Sequence, residues 1–215
     1  TMTDSWHDLN QNVIELMQKG QLQEAIVSAD KAMETVVREF GEEHRNVAVT
    51  LNNLGELHHM MENYEEAEKA LLQSISVSEK VDGESSLEVA DTLVNLVEMF
   101  ITQRRFAEAE PRMEKVASIY EQHHAGDPSL LPPVFNTLGT IYLGQGKFGQ
   151  ARNQFNKALQ LIEKTKGQSD PALGQVLKSL AIVDRQTGDM DAAGKKLRRA
   201  LSIYEESLGP LHPEF

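Results

Sequence analysis

Three glycines near the middle of the chain have the spacing of a nucleotide-binding loop. Gly144, Gly146 and Gly149 form the pattern G-x-G-x-x-G. Such glycines let backbone N–H groups approach a pyrophosphate, provided that a strand precedes the loop and a helix follows it. The preceding residues, FNTLGTIYL, lack the alternation of β-branched residues that is typical of a strand. Whether the glycines bind a nucleotide therefore depends on the elements around them.

Two histidine pairs, His58-His59 and His123-His124, also suggest chemistry, because imidazole is a common metal ligand. Adjacent residues on a helix point about 100° apart, so such a pair does not share a metal ion as a pair four residues apart can. The chain has no cysteine, which excludes a disulfide framework, a thiolate metal site and a cysteine nucleophile. No activated serine, carboxylate pair in a cleft or phosphate loop stands out. We expect no metal, no cofactor and no catalytic residue.

A repeat of 42 residues organises the whole chain and accounts for the central glycine. This interval relates five alanines: Ala25, Ala67, Ala109, Ala151 and Ala193. Within each interval, apolar residues recur every three or four positions in two stretches, which predicts two helices per unit. The turns inside the pairs are predicted at Gln18-Lys19-Gly20, Glu62-Asn63, Arg104-Arg105, Gly146-Lys147 and Gly188-Asp189. Gly146 is then a turn residue, and we interpret the G-x-G-x-x-G pattern as a coincidence.

Several residues predict where helices begin or bend. Ser85-x-x-Glu88 has the form of a capping box, and Asp170-Pro171 has the form of an N-cap followed by proline at the first helical position. The fourth unit's first helix is expected to start near Pro132, because prolines remove backbone donors from a helix begun earlier. Pro111 lies inside a predicted helix and is expected to bend it.

The units resemble tetratricopeptide repeats over essentially the whole chain. NNLGELHHMMENYEEA and NTLGTIYLGQGKFGQA carry the family pattern most closely. The 42-residue length, with segments such as FGEEHRNVA and ALSIYEESLGPLHPEF, is most similar to the repeats of kinesin light chains and of many scaffold proteins. His58 and Asp184 depart from the pattern, since the family usually has an aromatic residue at that position.

The resemblance implies an all-α fold, an α-solenoid of helix-turn-helix units in a right-handed superhelix. The first helix of each pair would line the concave face. It also implies one domain over residues 1–215. The five repeats are expected at about 4–43, 44–85, 86–127, 128–169 and 170–211.

Members of this family bind peptides in the groove formed by the first helices, so the resemblance implies a non-catalytic scaffold for protein binding. The groove positions carried onto this sequence are Asn52, Asn53, Glu56, His59, Asn95, Glu98, Thr102, Asn136, Thr137, Thr140, Lys178, Ser179 and Arg185. Asn53 and Asn95 match asparagines that hold peptide backbones in light-chain-like repeats. The alternative is that they bond neighbouring helices or water. The family's clamp for a chaperone tail matches only at Asn53, so that ligand is not expected.

The charge is uneven and indicates the kind of partner. Residues 1–125 contain 24 acidic against 10 basic residues, and residues 126–215 contain 9 against 11. An acidic field disfavours nucleic acid and anionic membranes. With Glu56 and Glu98 in the groove, it predicts a basic or neutral linear segment as the ligand of the N-terminal half. No signal or membrane-spanning segment is apparent, and we expect a cytoplasmic protein.

Two other functions remain open. The chain could be a structural or self-assembling module of a larger protein or complex, in contact through its uncapped C-terminal repeat. HPEF stops where a sixth helix pair would begin, and one interpretation of this abrupt end is that the chain is a fragment. An enzyme would need reactive side chains that the sequence does not offer. The basic residues Lys195, Lys196, Arg198 and Arg199 are interpreted as a solvated helix face.

Overall fold

The computed structural model describes residues 5–123 and 128–208, and in these ranges the chain is helical and has no strand. It divides into two compact units, Thr1–Gln103 and Arg104–Phe215. Each unit consists of helices joined by short turns, which is the construction of an α-solenoid. The all-α prediction is therefore confirmed.

Unit 1 contains five helices. They are α1 (Trp6–Gln18), α2 (Leu22–Phe40), α3 (Arg45–Met60), α4 (Tyr64–Asp82) and α5 (Leu87–Thr102). α1 packs on α2 and α3 packs on α4, while α3 also lies beside α1 and α5. Ala25, Ala29 and Leu57 are buried in the core between the first two pairs. The regular interval of the repeat thus places small residues where helices approach closely.

Unit 2 contains five helices and one 3-10 turn among its described residues. They are α6 (Phe106–His123), a 3-10 turn (Pro128–Leu130), α7 (Pro132–Gly144), α8 (Phe148–Lys166), α9 (Pro171–Gln186) and α10 (Met190–Leu208). α7 packs on α8 and α9 packs on α10, and α8 also packs on α9. α7 begins at Pro132 as predicted. α6 continues through Pro111. The chain's C-terminal HPEF lies outside the described residues.

The turns inside the helix pairs share one backbone conformation. The residues with positive φ are Gly20 (72°), Glu62 (60°), Arg104 (59°), Gly146 (72°) and Gly188 (87°), which occupy the same position in five successive repeats. Glycine adopts this left-handed conformation without strain, whereas a side chain at Glu62 or Arg104 makes it less favourable. All five predicted turns are confirmed.

Two of the three glycines of the G-x-G-x-x-G pattern, Gly144 and Gly146, have structural roles. A helix, α7, precedes them instead of a strand, so the arrangement of a dinucleotide-binding loop is absent from this part of the described chain. A Cβ atom on Gly144 would lie 2.3 Å from Cζ of Phe106, which explains why this position has no side chain. The interpretation of the pattern as a coincidence is confirmed.

Two predicted helix starts have different outcomes. Asp170 caps α9 as predicted: its Oδ1 accepts a hydrogen bond from the Ala172 N–H at 2.9 Å. The capping box predicted at Ser85 is wrong, because Ser86 is the N-cap of α5 and its Oγ accepts from the Val89 N–H. Glu88 then lies one residue too early to complete a capping box. Two adjacent serines offer the same chemistry, and only the backbone path distinguishes them.

A buried ionic cluster joins three helices of unit 2. Asp184 on α9 is fully buried where the family usually has an aromatic residue. Its carboxylate bonds Arg152 on α8 and Lys196 on α10, the latter at 2.6 Å. Burial alone would raise the pKa of Asp184, but the hydrogen bonds and charges of Lys196 and Arg152 outweigh it and lower the pKa.

The interpretation of the last basic residues as a solvated face is wrong for two of the four. Lys196 belongs to the cluster with Asp184, and Arg199 donates to Glu163 at 2.6 Å and to Gln168 at 2.8 Å. Lys195 and Arg198 are exposed. The sequence did not show that acids on α8 and α9 face these two positions.

Candidate functional site

The first helix of each pair carries the predicted binding residues, and we call these helices the A helices. In unit 1 they are α1, α3 and α5, which lie side by side. We define the A-helix face of unit 1 by its half-buried and exposed polar side chains: Asn10, Asn52, Asn53, Glu56, His59, Asn95 and Glu98. The structure brings these residues onto neighbouring helices of one unit.

Carboxamide pairs link successive A helices in unit 1. Asn53 Nδ2 donates to Asn10 Oδ1 at 2.7 Å, and Asn95 Nδ2 donates to Asn52 Oδ1 at 3.0 Å. Both pairs join residues 43 positions apart, one from each of two consecutive units of the repeat. The structure therefore shows the helix-to-helix bonding that was one of the two interpretations of these asparagines.

The paired asparagines keep hydrogen-bonding capacity. A carboxamide has two N–H donors and an oxygen with two lone pairs, and each pair uses one donor and one lone pair. The oxygens of Asn53 and Asn95 have no partner among the described residues, nor does the amide nitrogen of Asn52. All of these side chains are partly exposed. These asparagines can therefore still accept hydrogen bonds from, and donate them to, the backbone of a bound peptide.

Two acidic side chains of the A-helix face repel each other. Burial raises the pKa of Glu56 above its ordinary value, the negative charge of Glu98 raises it further, and His59 acts in the opposite direction. Glu56 has no hydrogen bond or ion pair among the described residues. A positive or neutral group placed here would relieve this repulsion, whereas an acidic group would increase it.

The predicted residues of unit 2 lie on α7 and α9 but do not form carboxamide pairs. Thr140 and Ser179 donate to main-chain oxygens of their own helices, those of Asn136 and Gln175. Thr137 is half-buried, and Arg185 is exposed. The Lys178 ammonium lies 5.8 Å from the centre of the Tyr204 ring, so it faces α10. The A-helix positions that form carboxamide pairs in unit 1 thus make different polar contacts in unit 2.

Two equivalent pockets were not anticipated from the sequence. One in unit 1, of about 110 Å³, is lined by residues of α3, α4 and α5, among them Asn52. One in unit 2, of about 250 Å³, is lined by residues of α7, α8 and α9, among them Asn136. The two asparagines occupy the same register position, two repeats apart. Comparing units two intervals apart would have shown that these sites correspond.

The histidines are not assembled into a metal site in the described ranges. No group of three or more histidine or acidic side chains there is placed to hold a metal ion. The His59 ring lies 6.0 Å from the ring of Tyr64. His124 lies outside the described residues. Within the described helices, none is both long and apolar enough to span a membrane.

Comparisons with known proteins agree with the geometry. A family model described as tetratricopeptide repeat matches residues 14–80, 57–122 and 131–206. A search of curated proteins gives no match.

Several solved structures share the fold. BtubC (BKLC) from P. vanneervenii is 20% identical, with a TM-score of 0.83 over 96% of this chain and 82% of that one. A putative kinesin light chain with nearly identical TPR-like repeats from Podosopora anserina is 16% identical, with a TM-score of 0.81 over 94% and 95%. The apo form of RapI is 14% identical, with a TM-score of 0.81 over 94% and 71%. At these identities the likeness shows the fold alone.

Proposed function

The chain belongs to the tetratricopeptide repeat family, and from this premise we propose that it is a non-catalytic scaffold that binds a partner protein. The partner contributes a linear segment that lies across the A helices. We further propose that the five repeats act as one domain of the kinesin-light-chain-like type and that the protein works in the cytoplasm.

The observation that carries the proposal is the row of asparagines in unit 1. Asn53 and Asn95 are fixed by neighbouring carboxamides and retain unpartnered oxygens. A fixed acceptor binds a peptide N–H with less loss of conformational freedom than a mobile one, and it does so whatever side chain the peptide carries. The asparagines therefore favour binding to peptide backbone.

The charge of the same face supports a basic or neutral segment. Glu56 and Glu98 already repel each other, and Glu56 has no cationic partner among the described residues. A lysine or arginine of the ligand would neutralise this repulsion. The selectivity should weaken at high salt, because exposed charges are screened over about 8 Å at physiological ionic strength.

Affinity capture from the source cell tests the proposal. Wild-type protein would be compared with an Asn53→Ala/Asn95→Ala variant, and bound proteins would be identified by mass spectrometry. The control is Asn63→Ala/Asn153→Ala, which removes two exposed carboxamides outside the A helices. A partner retained by the wild type and the control but lost by the folded A-helix variant supports the proposal. Equal capture by all three proteins contradicts it.

A second candidate function, self-assembly through the fifth repeat, is favoured by one observation. Leu197 on α10 is 44% exposed, although the equivalent Phe155 and Leu71 are fully buried. Leu201 and Met190 on the same helix are also exposed. Exposed apolar patches of this kind are typical of contact surfaces. Light scattering should show mass that rises with concentration and falls in Leu197→Ser/Leu201→Ser, whereas an unchanging monomer would exclude this function.

A further inference from the structure

The pocket of unit 2 corresponds in register to the pocket of unit 1. Seven pairs of lining residues stand at matching positions two repeats apart, among them Asn52 and Asn136, Asp91 and Gln175, and Thr92 and Val176. Both pockets therefore lie where one A helix, its following helix and the next A helix meet. Any difference between them reflects the side chains and not a different place in the repeat.

The two pockets differ in charge. Glu88 and Asp91 line the unit 1 pocket, and Arg45 there bonds Asp82 at the end of α4. At the equivalent positions unit 2 has Ala172, Gln175 and, in place of Asp82, Lys166. No acidic residue lines the unit 2 pocket, and Lys166 has no carboxylate partner among the described residues. The unit 1 pocket is acidic, whereas the unit 2 pocket is cationic.

The unit 2 pocket also contains an acceptor without a donor. In unit 1, Asn52 Oδ1 accepts from Asn95. The residue equivalent to Asn95 in unit 2 is Ser179, which donates instead to the main chain of Gln175 at 3.2 Å. Asn136 Oδ1 is buried and, without a donor from Ser179, has no hydrogen-bond partner among the described residues. A buried acceptor favours any ligand that supplies a donor.

The walls of the unit 2 pocket are mostly apolar. Pro132, Ile162 and Val176 are buried and line it, together with the exposed Pro133. Neither proline has a backbone N–H, so this end of α7 offers Asn136 no donor at those two residues. The pocket thus combines aliphatic walls, one buried acceptor and one cation at its edge.

We propose that the unit 2 pocket binds an aliphatic residue of a partner segment that carries an aspartate or glutamate beside it. The backbone N–H of the aliphatic residue donates to Asn136 Oδ1, and the neighbouring carboxylate lies beside Lys166. This inference rests on the proposed function, because it assigns a second binding site for a linear segment of a partner protein. It concerns unit 2 only, where the chemistry of the pocket is opposite to that of the acidic face in unit 1.

Methyl NMR on the full chain tests this assignment with three blocked hexapeptides. The first is acetyl-Gly-Gly-Glu-Leu-Gly-Gly-amide, the second has lysine in place of glutamate, and the third has N-methyl-leucine in place of leucine. The methyl groups of Ile162 and Val176 report binding at the pocket, and that of Ile203, which does not line it, is the internal reference. Lys166→Gln is compared with Lys164→Gln, an exposed lysine of the same helix end.

We expect saturable shifts of the Ile162 and Val176 methyl groups with the glutamate peptide. It should bind about threefold more tightly than the lysine peptide, as an exposed ion pair allows. N-methylation should weaken binding by about fivefold, because it removes the hydrogen bond to Asn136. The preference for glutamate should vanish in Lys166→Gln and persist in Lys164→Gln.

Three results would overturn the assignment. They are the absence of methyl shifts with any peptide, equal binding of the glutamate and lysine peptides, and equal binding of the leucine and N-methyl-leucine peptides. The outcome is separable from that of the proposed function. If Asn53→Ala/Asn95→Ala loses its partner while the Ile162 methyl does not respond, only the pocket assignment fails. If the pocket binds as expected but the double variant keeps its partners, the asparagine row fails instead.

Discussion

The two units use the same positions of one repeat for different chemistry. In unit 1 Asn95 donates a hydrogen bond to Asn52, whereas in unit 2 the equivalent residues, Ser179 and Asn136, do not bond each other. The small residues that allow helices to pack, such as Ala67 and Ala151, are buried in both units. Packing therefore restricts which residues can occupy the buried apolar positions of each unit. The polar positions on the A helices are not restricted in this way and can differ between the units.

The aromatic position of the repeat shows the same contrast in the core. On α5 of unit 1 it is occupied by the fully buried Phe100, and on α9 of unit 2 by Asp184, whose charge is matched by two basic residues. An apolar side chain needs no specific partner, but a buried carboxylate depends on both of its cations. Unit 2 should therefore be more sensitive to single substitutions at this position and to acid.

The largest effect is expected from Asp184→Ala. The substitution removes the carboxylate and leaves Arg152 and Lys196 facing each other at a buried site. We expect a loss of about 2–4 kcal/mol in the free energy of unfolding, below the upper range for fully buried pairs because Arg152 is partly exposed. Urea unfolding measures it, with the exposed Asp191→Ala as a control. A loss under about 0.5 kcal/mol, typical of surface changes, would remove the contrast between the units.

The same cluster should make unit 2 sensitive to acid. The pKa of Asp184 is lower in the folded protein than its ordinary value of 3.8, so its stabilisation is present above that value. It is lost as pH falls through the folded pKa. We expect the stability difference between wild type and Asp184→Asn to be constant near neutral pH and to shrink below about pH 4. Urea unfolding at several pH values measures this stability difference. A difference that does not change with pH would contradict a lowered pKa for Asp184.

Glu56→Gln should act in the opposite direction in unit 1. The pKa of Glu56 is raised in the folded protein, so its ionised form destabilises the fold above the ordinary value of 4.5. The amide should stabilise the protein by several tenths of a kcal/mol at pH 7, roughly the scale of an exposed charge pair. This gain should disappear as pH falls toward the ordinary value. Thermal unfolding measures it, with Glu65→Gln, on an exposed surface, as the control.

The turns allow the smallest test of equivalence between the units. Glu62 and Gly146 occupy the same left-handed turn position. Glu62→Gly should stabilise unit 1 by about 0.5 kcal/mol, and Gly146→Ala should destabilise unit 2 by about 1 kcal/mol. Changes of the same sign in thermal unfolding would show that the two turns are not equivalent.

The repeat and its helices were predictable from the sequence because each depends on local patterns. The repeat interval, the turn at Gly146, the start of α7 at Pro132 and the cap at Asp170 follow from residue type and spacing. The cap of α5 was placed one residue too early because Ser85 and Ser86 are chemically alike.

The polar contacts between helices were not predictable in the same way. Asp184 meets Arg152 and Lys196 only because α8, α9 and α10 converge, and it lies 32 and 12 positions from them in the chain. The asparagines were recognised as candidates, but their pairing across 43 positions required the packing of the A helices. Long-range complementarity of this kind leaves no pattern in a single sequence.

Site-directed crosslinking tests the binding face most directly. The chain has no cysteine, so one added thiol can carry a photoreactive group without any competing site. His59→Cys places this group on the A-helix face of unit 1, and Gln73→Cys places it on the exposed side of α4. We predict that a captured partner crosslinks from position 59 through a segment without net negative charge. Crosslinking from position 73 alone, or through an acidic segment at position 59, would contradict the account.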